Sequence, residues 1–71
     1  MYKDSIMDEL RQIERDVVEG EKRLAEQEAL LIELKRSNES TIKAQAQFEM
    51  MRKAQLDREQ RQQCLLSLLH P

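Results

Sequence analysis

Apolar side chains recur every seven residues from Ile6 to Leu34, and this repeat decides most of what the chain can fold into. Leu10, Val17, Leu24 and Leu31 take one position of the repeat, and Ile6, Ile13, Gly20, Gln27 and Leu34 take the other. Spacings of four and then three residues line these positions along one side of an α-helix, as a narrow seam for a second helix. Gly20 is the one glycine in the sequence, and it interrupts the seam near its middle. A glycine inside a helix costs about 1 kcal/mol relative to alanine. A packing feature that offsets this cost is therefore expected at Gly20.

Seventy-one residues make one small domain, here residues 1–71. Such a chain has a marginal core unless a disulfide, a metal or oligomerisation supplements it. Cys64 is the one cysteine, which rules out an internal disulfide and fits a reducing, cytoplasmic setting. Cys64 and His70 alone do not assemble a tetrahedral zinc site, and no cofactor is expected. Oligomerisation remains, with a homodimer favoured. Charged residues make up 37% of the chain and aromatics 3%, a balance that also occurs in disordered tracts. Disordered tracts carry no apolar period, however. Leu, Ala, Met, Glu, Gln, Lys and Arg dominate and all form helices well, so the fold class is all-α. Charges throughout the first thirty residues exclude a signal peptide and a membrane-spanning helix, and the run Cys64–Leu69 is too short to cross a bilayer.

The first helix is expected over about residues 5–36. Ser5 and Asp8 have the spacing of a capping box, and Lys35 and Arg36 place cations at the negative helix end. Ser37-Asn38-Glu39-Ser40-Thr41 is the weakest helix-forming stretch, because Ser, Asn and Thr compete for backbone hydrogen bonds. Asn38 suits a left-handed position after a helix, and Ser40 or Thr41 suits the cap of a new one. A second helix over about residues 41–69 then matches the first in length, as an antiparallel two-helix hairpin requires. One continuous helix in a parallel coiled coil is the competing geometry.

The second seam runs Ala44, Phe48, Met51, Gln55, Arg58, Gln62, Leu65, Leu69, apolar at both ends and polar in the middle. A turn centred near Glu39 sets Phe48 against Leu31, Leu65 against Ile13 and Leu69 against Leu10. It also sets Arg58 against Gly20, where the long stem fills the missing side chain's space. Val18, Ala25, Leu30 and Ile32 lie off the first seam, and Met50, Leu56, Cys64, Leu66 and Leu68 off the second. An apolar surface wider than a seam suits a helix with two or more helical neighbours, so two hairpins are expected to pair into a four-helix bundle.

Candidate chemistry is sparse. Lys43, Arg52, Lys53, Arg58 and Arg61 offer phosphate contacts, but Glu49, Asp57 and Glu59 are interspersed and the chain carries a net charge of −2. A solvated helix face explains them better than a nucleic-acid surface. Cys64 lies in an apolar run and reads as a small buried hydrophobe, not a reactive thiol. His70 reads as an idle terminal residue. Glu26 and Glu33, one heptad apart, lack a histidine that completes a cation site. No nucleophile–base pair or phosphate-binding glycine loop is present, so neither an enzyme nor a small-molecule substrate is expected.

The stretch Val18–Leu31 resembles a pattern in small uncharacterised proteobacterial proteins. There a Gly-Glu pair precedes a Leu/Ile-Ala-x-Gln-x-x-Leu run, as in Gly20-Glu21 and Leu24-Ala25-Glu26-Gln27-Glu28-Ala29-Leu30. Thr41 opening a second helix and the late Leu65-Leu66 pair fit the same outline. Asn38 and Glu39 stand where that outline often has glycine, and Arg58 where it has histidine. The resemblance implies a coiled-coil helical hairpin and no chemistry. A protein–protein interaction module is therefore the first reading, carried by Leu10, Ile13, Val17, Gly20, Leu24, Leu31, Phe48, Met51, Arg58, Leu65 and Leu69. An RNA-binding dimer like the plasmid copy-control protein Rop is the alternative, by analogy of architecture alone. The Ser-Gln-Glu-Leu-Asp signature of hairpin phosphatases in sporulation phosphorelays is absent.

Overall fold

Two helices, α1 (Tyr2–Arg36) and α2 (Ile42–Leu69), pack against each other in the computed structural model, which describes residues 2–69. No strand occurs among the described residues. The helices run antiparallel and form a rod of 54 × 14 × 14 Å. Helix α1 starts at Tyr2, so Ser5 and Asp8 lie inside it and the expected capping box does not form. Neither glycine nor proline occurs in Tyr2–Asp4, and Asp4 sets a negative charge in the first turn, where the helix dipole favours it.

The reversal is made by local hydrogen bonds. Asn38 adopts a left-handed conformation with φ 57°. The Glu39 N–H donates to the Leu34 carbonyl at 2.9 Å, and the Asn38 N–H to the Lys35 carbonyl at 3.2 Å. These two bonds form a Schellman motif, which occupies carbonyls the ending helix leaves free. The Gln45 N–H donates to the Thr41 carbonyl at 2.7 Å, making Thr41 the residue that caps α2 through its backbone. The Ser40 hydroxyl accepts from the Ile42 N–H at 3.5 Å.

The pairing differs from a turn centred on Glu39. Gln55 meets Val17 and Gln27 meets Ala44, pairs centred close to Arg36. Because Asn38 reverses the chain directly after α1, the end of α1 is the pivot and the middle of the polar stretch is not. Leu65 consequently packs with Ile6 and Leu10, while Ile13, Leu66 and Leu69 border that cluster. Val17, Leu31 and Ala44 are the other buried apolar side chains, and none of the described side chains is wholly enclosed. The core is therefore a thin line, polar at its centre, where Gln27 and Gln55 are buried.

Cys64 is exposed, contrary to the expectation of a buried hydrophobe. It precedes Leu65, the most enclosed residue of the seam, and one helical residue rotates a side chain by about 100°. Val18, Leu30, Ile32, Met50, Leu56 and Leu68 are also exposed.

Candidate functional site

Gly20 and the residues that cross it form the most distinctive contact between the helices. Gln55 lies directly over Gly20, and the expected Arg58 reaches the same position from beside it. A Cβ at position 20 would stand 2.8 Å from Gln55 Cδ, closer still to Gln55 Oε1, and 2.9 Å from Arg58 Nη1. All three separations are shorter than van der Waals contact, so glycine is what lets the amide lie against the α1 backbone. The Gln55 side-chain N–H then donates to the Val17 carbonyl at 2.8 Å. Arg58 Nη1 donates to Gln55 Oε1 at 3.1 Å, which holds the amide from its other side.

A second bond runs the opposite way. The Gln27 side-chain N–H on α1 donates to the Ala44 carbonyl on α2 at 3.0 Å. Each helix thus sends one glutamine to a carbonyl of the other. A helical carbonyl has a second lone pair, so it accepts without giving up its intrahelical bond. No buried side-chain nitrogen or oxygen among the described residues lacks a partner. A slip of the helices would strand these two amides, so they specify the register. The signal for them is partly legible: Gln27 shares its heptad position with Ile6, Ile13 and Leu34, and Gln55 shares its own with Phe48 and Leu69, so each stands polar in a largely apolar seam.

Among the described residues one ion pair joins the helices, Arg61 to Glu9 at 3.3 Å. Both side chains are more than half exposed, so the pair aligns the arms more than it stabilises them. Of the residues expected to carry packing, Leu10, Val17, Gly20, Leu31 and Leu65 are buried. Ile13, Leu24, Phe48, Met51, Arg58 and Leu69 are half-buried. Beside Gly20 the helices leave a hollow of about 410 Å³, bordered by Arg23, Met50, Met51, Ala54 and Arg58.

The basic residues of α2 do not form one strip. At about 100° per residue, Arg52 points opposite to Lys43 and Arg61 and Lys53 about a quarter-turn from them, and Arg58 and Arg61 are engaged with Gln55 and Glu9. Glu26 and Glu33 are exposed. No group of three or more His, Cys, Asp or Glu among the described residues is placed to hold a metal ion. His70 lies outside the described residues. No helix among them is long and apolar enough to cross a membrane.

Comparison with family models, curated proteins and solved structures finds no match.

Proposed function

We propose that this chain is a non-catalytic helical interaction module of the cytoplasm that self-associates, two hairpins pairing into a four-helix bundle. One observation supports this above others. Val18, Ile32, Ile42, Met50, Leu56 and Leu68 are each at least 50% exposed, while only a thin line of side chains is buried between the helices. A two-helix rod has room for one seam only, and further apolar surface is stabilised by further helices. The reading assigns no reaction, cofactor or small-molecule substrate.

Sedimentation equilibrium across a wide concentration range tests it. Twice the chain mass, falling to the chain mass only on dilution, is the expected result. A stable monomer at high concentration overturns the reading. A salt-sensitive gel shift of RNA that disappears in an Arg58→Gln/Arg61→Gln variant would instead favour the RNA-binding alternative.

A further inference from the structure

The self-association proposed above leaves open which face is covered and how. The hairpin is a ribbon with two broad faces. On α1, Tyr2, Glu9, Asp16, Arg23 and Leu30 share a heptad row, and on α2 Ala54, Arg61 and Leu68 share another. The Glu9–Arg61 pair shows that the two rows border the same face. The hollow beside Gly20 opens on this face, because Arg23 and Ala54 line it. A second hollow toward the open end of the ribbon, lined by Tyr2, Cys64 and Leu68, opens there as well. The opposite face carries the row Glu14, Glu21 and Glu28, all exposed, and beside it the exposed apolar residues Val18 and Ile32 on α1 and Ile42 on α2, so its apolar side chains are interleaved with carboxylates. Its hollow on α2 sets Leu56 among Glu59, Gln60, Gln62 and Gln63.

We infer that a second copy of this chain covers the Gly20 face, and that each copy seats its Met50 in the other's hollow at Gly20. Four features lead here. Met50 is 71% exposed on the rim of that hollow, so one face offers both a protrusion and a recess. A twofold contact needs this self-complementarity. Methionine, unbranched and polarizable, adapts to a recess of irregular shape. Gly20 and Met50 also lie well inside helices α1 and α2, away from the ends of the ribbon. A face of 54 × 14 Å offers about 750 Å² per copy, close to the roughly 800 Å² that a stable interface buries on each partner.

Charge selects the orientation. Residues 1–37 hold ten acidic and seven basic side chains, and residues 38–71 four acidic and five basic. A twofold axis along the ribbon lays each α1 on the partner's α2 and keeps the two turns at one end. An axis across the ribbon lays α1 on α1, acidic on acidic. The first arrangement also keeps Met50 level with the partner's Gly20, since both border one hollow within a copy.

The test is sedimentation equilibrium of the full chain and of Met50→Lys and Leu56→Lys, with circular dichroism for helix content. Lysine forms helix about as well as methionine and leucine, and Met50→Gln repeats the measurement without added charge. Met50→Lys is expected to raise the dissociation constant by at least about tenfold and Leu56→Lys by no more than about twofold. Equal weakening by both, or weakening by Leu56→Lys alone, overturns the chosen face while leaving self-association standing. A monomeric wild type overturns self-association itself. Spin labels on Glu39→Cys in a Cys64→Ser chain read the orientation. A label separation well below the 54 Å rod length is expected, and one near that length refutes turns at the same end.

Discussion

Substituting Gly20 by alanine separates two effects that oppose each other at one position. In an open helix the change stabilises by about 1 kcal/mol through helix propensity. Here the new Cβ meets Gln55 Cδ at 2.8 Å and Arg58 Nη1 at 2.9 Å, so the Gln55 amide must leave its place. Its departure removes the bond to the Val17 carbonyl and the bond from Arg58. The half-buried Arg58 guanidinium regains water, so only the buried bond to Val17 counts, at about 1 kcal/mol, and displacing a well-packed side chain costs about 1 kcal/mol more. Gly20→Ala should therefore lower stability by about 1 kcal/mol, or roughly 4–8 °C in melting temperature for a chain of this size. In a Gln55→Ala background the amide is gone and the Arg58 guanidinium, at the free end of a flexible side chain, moves aside, so Gly20→Ala should raise stability by about 1 kcal/mol. The coupling between the two sites is then about 2 kcal/mol. Urea denaturation followed by circular dichroism, at one fixed protein concentration so that the proposed association cannot shift the midpoint between variants, measures all four corners of the cycle. A gain of about 1 kcal/mol from Gly20→Ala in both backgrounds would refute the close crossing.

Other substitutions probe the ends of the rod. Leu65 is only 3% exposed, between Ile6 and Leu10; Leu65→Ala should cost about 2–3 kcal/mol, seen as a fall of roughly 10–20 °C in thermal melts. Asn38 holds φ 57°, so Asn38→Val should lose about 1–2 kcal/mol while Asn38→Gly matches or exceeds the wild type. A valine variant as stable as the wild type would show that the Schellman turn does not constrain the fold. Arg61→Ala removes the exposed pair with Glu9 and should cost less than about 1 kcal/mol, a difference that vanishes in molar salt.

The two helices and their turn are legible in the sequence because local rules decide them. Helix formers on a heptad repeat specify the rods. Ser37–Thr41 is the one stretch whose side chains compete with the helix, and Asn38 adopts the left-handed geometry its short amide tolerates. Register is harder to read, because it depends on which long-range contacts form. Counting outward from the middle of the turn pairs Gly20 with Arg58. The structure brings Gln55 over Gly20, because the Schellman motif moves the pivot to the end of α1. Cys64 fails for a related reason. An apolar neighbourhood in sequence is not an apolar neighbourhood in space when one residue turns the side chain by about 100°. Arg58 beside Gly20 is legible, but the other residues that border the hollow there, Met50, Met51 and Ala54, depend on the register and are not.

The polar centre explains why stability and specificity are separated along this rod. Leucines at 27 and 55 would bury more apolar area, yet a uniformly apolar seam packs almost as well after a slip of one heptad. Gln27 and Gln55 donate in opposite directions, so a slip that carries one amide away from its carbonyl carries the other away too. Each bond contributes only about 1 kcal/mol when made. Leaving a buried amide unpaired costs about 1–3 kcal/mol, so the pair acts mainly by penalising wrong registers. That leaves the leucine and isoleucine cluster around Leu65 and the residues at the turn to hold the hairpin together. A rod so secured has one register, and the proposed second copy would add burial of its outer apolar residues as a further source of stability.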